Sequence, residues 1–111
     1  MAQLATIDTL RSVAFGSITA SYTAVGTASL KPIHVLIITN TTDADMLISD
    51  DGVNNKLVVP KSSFILLDVS ANRDGYNPAN VLMFRTRTQY YVKYITAPSL
   101  GSVYIAEIYG E

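Results

Sequence analysis

The chain has no cysteine, a single histidine and only two glutamates, which stand at positions 107 and 111. Without cysteine it can form neither a disulfide nor a thiolate metal site, so its core or its neighbours must hold the fold. His34 lies between Ile33 and Val35 in a strand-like segment, and no Gly-x-Ser-x-Gly motif or paired carboxylates accompany it. We therefore expect a protein without catalytic residues, a bound metal or a cofactor.

Charge is also scarce. Charged residues make up 15% of the chain, against about 25% in average soluble domains. The formal net charge is -1, so there is no basic excess to neutralise phosphates, and we expect no nucleic-acid partner. A surface with few charges is poorly protected against association. We expect part of it to be covered by a partner, and the protein to be a homo-oligomer.

Long apolar runs are missing as well. The longest, Val35-Leu36-Ile37-Ile38, is far shorter than the about 20 residues that span a bilayer. The first residues lack the basic region of a signal peptide. We expect a protein made in a cytoplasm, with no membrane contact.

What the chain does contain is a β pattern. Val, Ile, Thr and Tyr are abundant, and Gly, Asn, Asp and Pro interrupt them at short intervals. This favours one all-β domain over residues 1–111, an antiparallel, jelly-roll-like β-sandwich, with a small β-barrel as the alternative. Residues 1–9 fit a short helix or an N-terminal arm. About eight strands are predicted, at 11–21, 33–39, 46–49, 56–59, 63–69, 81–86, 88–96 and 102–109.

Four aspartates cluster around one predicted hairpin, at positions 43, 45, 50 and 51. Calcium requires six to eight oxygen ligands, and the spacing here lacks the pattern of an EF-hand loop. Asp and Asn also form turns without any ion. We predict turn residues here, and the sequence leaves open whether a cation binds between 43 and 51.

Two sets of side chains are candidates for a protein–protein interface. Tyrosine combines a large apolar body with a polar tip and is enriched at interfaces, although cross-strand packing inside a sandwich is an equally simple use. A sugar-binding platform is a third interpretation. The two arginines alternate within the segment 84–87, which would put both guanidinium groups on one face, where they either pair with acids across an interface or face solvent. The candidates are Tyr90, Tyr91, Tyr94, Tyr104, Tyr109, Arg85 and Arg87.

Four segments carry a resemblance to a known group of proteins. They are LRSVAFGSI at 10–18, ITNTTDADMLIS at 38–49 leading into Asp51-Gly52, FILLD at 64–68 and VYIAEIYG at 103–110. This pattern of strands and turns resembles small virion proteins of tailed bacteriophages, found among head and tail components.

The resemblance implies a virion structural protein, assembled in the host bacterial cytoplasm. Its closest analogy is a head decoration or cement protein with a jelly-roll sandwich, which would bind and stabilise the shell of the major capsid protein. A neck, collar or tail-attached component that binds other virion proteins is the alternative. A carbohydrate-binding module on the particle surface is the second alternative.

Overall fold

The structure, a computed structural model, describes residues 5–68 and 84–110. These residues form strands and one short 3-10 turn at Phe15–Ser17. The strands are β1 (Ala5–Ile7), β2 (Arg11–Ala14), β3 (Thr23–Ala24), β4 (Ile33–Asn40), β5 (Met46–Ser49), β6 (Leu57–Val59), β7 (Ser63–Asp68), β8 (Tyr91–Tyr94) and β9 (Ser102–Gly110).

The strands form two antiparallel sheets that pack as a sandwich. In sheet A, β1 and β2 lie one after the other along β9, and the order continues through β4 to β7. Sheet B has the order β3, β8, β5, β6. The pairs β2–β9, β3–β8, β4–β7 and β5–β6 are all antiparallel neighbours. The chain is thus one long hairpin rolled into two sheets, which is the jelly-roll arrangement, and the predicted fold class is confirmed.

Alternate residues of each strand point into the space between the sheets, as strand geometry requires. Sheet A contributes alternate apolar residues of its two central strands, β4 and β9, and sheet B those of β5 and β8. One continuous core results, and the side chains at its centre lie at or below 2% exposure. Its central members are Leu36, Ile38, Val103, Ile105, Met46, Ile48 and Val92.

A buried amide closes one end of this core. Asn40, the last residue of β4, is 1% exposed. Its Nδ2 donates to the carbonyl oxygens of Ala44 at 2.9 Å and Val59 at 3.1 Å, and its Oδ1 accepts from the backbone N–H of Thr42 at 2.9 Å. Because Val59 belongs to β6, this side chain ties the β4–β5 turn to the opposite sheet.

Several predicted boundaries were wrong. The strand predicted at 11–21 ends at Ala14, because Phe15–Ser17 forms a 3-10 turn closed by the N–H of Ile18 on the carbonyl of Phe15. The strand predicted at 88–96 is confined to Tyr91–Tyr94. Of the strand predicted at 81–86, positions 81–83 lie outside the described residues, and Phe84 makes an isolated bridge with Ile33.

Part of the predicted N-terminal arm is an edge strand. Ala5–Ile7 pairs with the end of β9, in the register Ala5 with Gly110 and Ile7 with Ile108. The N–H of Asp8 continues the contact by donating to the carbonyl of Glu107 at 2.8 Å. Residues 1–4 of the predicted arm lie outside the described residues.

Candidate protein interface

The most unusual surface is the side of sheet A that faces away from the core, here called the outer face of sheet A. The strand registers show that every second residue of each strand points to this face, and that these side chains form rows across the sheet. Only one of these side chains is charged, and it lies at a corner. The members are Ala5, Ile7, Ser12, Ala14, Val35, Ile37, Thr39, Phe64, Leu66, Asp68, Ser102, Tyr104, Ala106 and Ile108.

Large apolar side chains on this face are open to solvent. Ile7 is 76% exposed, Phe64 66% and Leu66 52%. Ile7 lies at the β1 edge, whereas Phe64 and Leu66 lie on β7 at the other edge, with half-buried apolar residues between them. Single exposed apolar residues are normal, but a contiguous apolar patch on a protein surface marks an interaction site.

The outer face of sheet B differs in chemistry. There the Lys93 ammonium lies 4.7 Å from the centre of the Tyr22 ring, and the Tyr22 hydroxyl donates to Asn55 Oδ1 at 2.6 Å. Polar groups on this face thus have partners within the chain itself. The two sides of the sandwich are therefore unequal, and the apolar side is that of sheet A.

The predicted tyrosine cluster is divided among three environments. Tyr90 is 3% exposed and lies in the core, and Tyr94 and Tyr109 pack against that core from its margins. Tyr104 lies on the outer face of sheet A, directly opposite Thr39 of the neighbouring strand β4.

Tyr91 points the other way, to the outer face of sheet B, where its ring lies beside Gly52. Of the five tyrosines, Tyr104 is the one that the structure places on the apolar face. Tyr91 and Tyr104 lie on opposite sides of the sandwich, so they do not form one platform for a sugar ring.

The two arginines do not alternate along a strand. Arg85 and Arg87 are both exposed, but they belong to a turn, and Arg87 has a positive φ of 63°. The hydroxyl of Thr88 closes this turn by donating to the carbonyl of Arg85 at 2.7 Å. The N–H of Arg87 attaches the turn to another part of the chain by donating to the carbonyl of Ser29 at 2.5 Å. The prediction that both guanidinium groups share one strand face is wrong, because residues 85–87 lie in a turn and not in a strand.

The aspartates of the predicted acidic turn are engaged by the protein's own donors. Asp43 accepts from the backbone N–H of Ser99 at 2.8 Å and from its hydroxyl, and these hydrogen bonds lower the pKa of Asp43. Asp45 accepts from the N–H of Lys61 at 2.9 Å.

Asp51 is the most heavily engaged carboxylate of this turn. The Ser49 hydroxyl donates to it at 2.7 Å, and it also accepts from the N–H groups of Val53 at 2.8 Å and Asn54 at 2.9 Å. These donors hold the pKa of Asp51 well below its usual range. Over the described parts of the chain, no group of three or more possible metal ligands comes together.

A buried ion pair lies at the β1 end of the sandwich. Glu107 points inward from β9 and is 0% exposed, and its Oε1 lies 2.5 Å from Nη1 of Arg11 on β2. The Ser29 hydroxyl donates to its other oxygen. Burial raises the pKa of Glu107, against the opposing effects of the Ser29 hydrogen bond and the Arg11 charge.

Arg11 links this carboxylate to the surrounding backbone. Its Nε donates to the carbonyl of Thr27 at 2.6 Å, Nη1 to that of Thr9 at 3.2 Å and Nη2 to that of Ala28 at 3.4 Å. Nη2 also pairs with Asp8 at 3.2 Å. The pair therefore fastens the β3–β4 connection and the β1–β2 connection to β9, which is a structural role.

Apart from Tyr104, the sequence did not predict the residues that make the outer face of sheet A. The sequence signal was present, because the segments 35–38 and 64–67 are apolar at consecutive positions and so carry apolar side chains on both faces of a strand. Such a run is typical of a strand that is buried on both faces. Phe64 and Leu66 show that the second side is open in this chain.

None of the helical segments in the described residues is long and apolar enough to cross a membrane.

No protein-family model and no curated protein sequence matches this chain. Among solved structures it is similar to the SPP1 Dit (gp 19.1) protein, which is described as a paradigm of the hub adsorption apparatus in phages that infect Gram-positive bacteria. The TM-score is 0.41 and the identity 13%, over 96% of this chain and 49% of that one. The chain spans about half the length of that protein, and a likeness of this degree does not establish a function.

Proposed function

We propose that the protein is a non-enzymatic structural component of a tailed-bacteriophage particle, which docks on another virion protein through the outer face of sheet A. The observation that carries the proposal is the chemistry of that face. It presents Ile7, Phe64 and Leu66 to water, and among the described residues of that face Asp68, at its corner, is the one charged side chain.

The partner proposed first is the major capsid protein, because the sequence resemblance points to a head decoration protein. A standard protein interface buries about 800 Å² on each partner. Four rows of strands at a spacing of about 4.8 Å, six residues long at about 3.3 Å each, cover a footprint of roughly 300–400 Å². The face alone is thus about half of a standard interface. Stable attachment then requires added rim contacts or several copies acting together.

The proposal is tested by mixing the purified protein with phage heads that lack it, and separately with isolated tails, and sedimenting each mixture. We expect the protein to sediment with heads at a high copy number. Sedimentation with tails alone, at a few copies, would assign it to the neck or tail instead. Recovery in neither pellet, from protein known to be folded, would refute the virion role.

A matched pair of variants tests the surface. Ala106→Arg places a cation in the middle row of the outer face of sheet A, next to Ile37. Ala24→Arg makes the same change on the outer face of sheet B, where Ala24 is exposed. Burying an unpaired charge at the interface costs binding free energy, and each 1.4 kcal/mol lost weakens the affinity about tenfold. We therefore expect Ala106→Arg to weaken binding by about tenfold or more. Ala24→Arg should bind normally, and equal loss in both variants would contradict the assignment to sheet A.

A further inference from the structure

The edges of the two sheets are protected to different degrees. An open strand edge offers unpaired backbone N–H and C=O groups to other chains, and proteins guard such edges with short strands, prolines, bulges or inward-pointing charges. Sheet B ends on β3, which has two residues, and on β6, which has three and is followed by Pro60. Both edges of sheet B are therefore too short to pair extensively.

The β1–β2 edge of sheet A is guarded as well. It is interrupted between Ile7 and Arg11, and Arg11 turns its charge into the sandwich, where it meets Glu107. The break and the inward charge are two of the devices that prevent pairing along an edge.

The opposite edge of sheet A, strand β7, has none of these devices. It runs for six residues, Ser63–Asp68, and pairs with β4 at six consecutive positions without a register shift. Its first five residues, Ser-Phe-Ile-Leu-Leu, contain no charge and no proline. Within residues 5–68 and 84–110, β4 is its only strand neighbour. An apolar edge of this length, without a guarding device, is a template for a further strand.

We infer that β7 pairs with β7 of a second copy of this chain, antiparallel and about a two-fold axis, so that the two A sheets become one continuous sheet. Head-to-tail pairing between copies would require a second open edge, and the other described edges are protected. Edge pairing is therefore possible in the two-fold arrangement, in which β7 of one copy pairs with β7 of the other.

Charge and side-chain chemistry agree with the antiparallel direction. Lys61 lies just before β7 and Asp68 ends it. Antiparallel pairing brings the Lys61 end of one strand to the Asp68 end of the other, whereas parallel pairing would place like charges side by side. Directly opposed residues share a face, so Phe64 and Leu66 would meet their counterparts on the outer face, where apolar cross-strand pairs stabilise a sheet.

This inference does not depend on the virion role, because self-association is measured without any other virion component. In sedimentation velocity from micromolar to near-millimolar concentration, we expect the protein to reach twice its chain mass of 12.0 kDa. Leu66→Lys should remain monomeric over that range. Val58→Lys, at 50% exposure against 52% for Leu66, lies on the short edge strand β6 and should still dimerise.

Ile7→Lys separates edge pairing from stacking of whole faces, because Ile7 lies on the same outer face but at the opposite edge. It should leave the dimer intact. A monomeric wild-type protein at all concentrations, a dimeric Leu66→Lys protein, or loss of the dimer in Ile7→Lys would each overturn the assignment.

Crosslinking provides a second measurement, which remains valid even where a lysine substitution prevents folding. The chain has no cysteine, so an introduced pair reports only its own contacts. Under mild oxidation, Phe64→Cys/Leu66→Cys should form a disulfide-linked dimer. Whether position 64 lies opposite 64 or 66 of the second copy, or 66 lies opposite 66, the Cα atoms of the two cysteines are close enough for a disulfide. Ala5→Cys/Ile7→Cys has the same spacing on the other edge of the sheet and should stay monomeric. Equal crosslinking of both variants, or of neither, would overturn the inference.

Discussion

The buried pair of Arg11 and Glu107 offers a quantitative test of the core. Arg11→Met keeps an unbranched apolar side chain but leaves the Glu107 carboxylate, 0% exposed, with the Ser29 hydroxyl alone. Removal of one partner of a buried pair costs about 3–5 kcal/mol. Because small domains are stable by only about 5–15 kcal/mol, this variant should lose a large share of its free energy of unfolding.

The double variant Arg11→Met/Glu107→Leu should be the more stable of the two. It removes both charges, so no uncompensated carboxylate remains in the core, and a buried pair replaced by apolar residues is often neutral. What it still loses is the hydrogen bonds from Arg11 to the carbonyls of Thr9, Thr27 and Ala28, at about 1 kcal/mol each. We therefore expect it to recover about 1–2 kcal/mol relative to Arg11→Met.

Urea unfolding of the wild type, both single variants and the double variant measures this as a double-mutant cycle. The slope with urea should be the same in all four proteins, so that midpoints can be compared directly. If the losses of the two single variants simply add in the double variant, the two charges do not stabilise each other and the reasoning is refuted.

The pH dependence gives the same test a second readout. Burial raises the pKa of Glu107 in the folded protein above its unfolded value of 4.5, with Asp8 acting in the same direction and Arg11 against it. Its contribution to stability is therefore fully present below the unfolded pKa and is lost as the pH rises through the folded pKa. Without the Arg11 cation the pKa should rise further, so the deficit of Arg11→Met should shrink as the pH falls from 7 to 5. A deficit that does not change with pH would contradict this account.

Three further predictions concern single positions. Tyr90→Phe should raise stability by about 1 kcal/mol in urea unfolding, because the buried hydroxyl has no hydrogen-bond partner among the described residues; a clear loss would mean that it has one. Gly101→Ala should cost at least about 2 kcal/mol by the same assay, since Gly101 has a φ of 88° and a Cβ there would overlap the carbonyl of Thr41, whereas Gly16→Ala, with open space around it, should be nearly neutral. The carboxylate of Asp51 should titrate by NMR below the ordinary aspartate value of 3.8, so the stability that it contributes is present at neutral pH and lost only as the pH falls through that lower pKa; a titration at or above 3.8 would contradict the hydrogen bonds described for it.

The sequence carried most of the fold because alternation and turn chemistry act locally. The segments around β4, β5, β7 and β9 were recognised within about one residue of their bounds, since apolar strands lie between clear turn residues. The missed features depend on partners distant in the chain. Ala5–Ile7 is a strand because β9, about a hundred positions further along the chain, provides an edge for it.

The candidate interface was harder to predict for a similar reason. Consecutive apolar residues in a strand indicate that both faces of the strand are apolar. They do not indicate whether another layer of the protein covers the outer face. Tyrosine content was likewise ambiguous, because Tyr90 and Tyr104 differ in environment only through the sheet to which each strand belongs and the face to which each ring points.

The sequence by itself determined an all-β chain without thiol chemistry, with little charge and with strands that are apolar on both sides, because composition and alternation are properties of neighbouring residues. Only the tertiary structure decided which of those sides became the core and which stayed open. It also brought Arg11 to Glu107 across 96 positions of sequence. Both outcomes follow from the way in which the jelly roll stacks its two sheets, and no local pattern specifies that stacking.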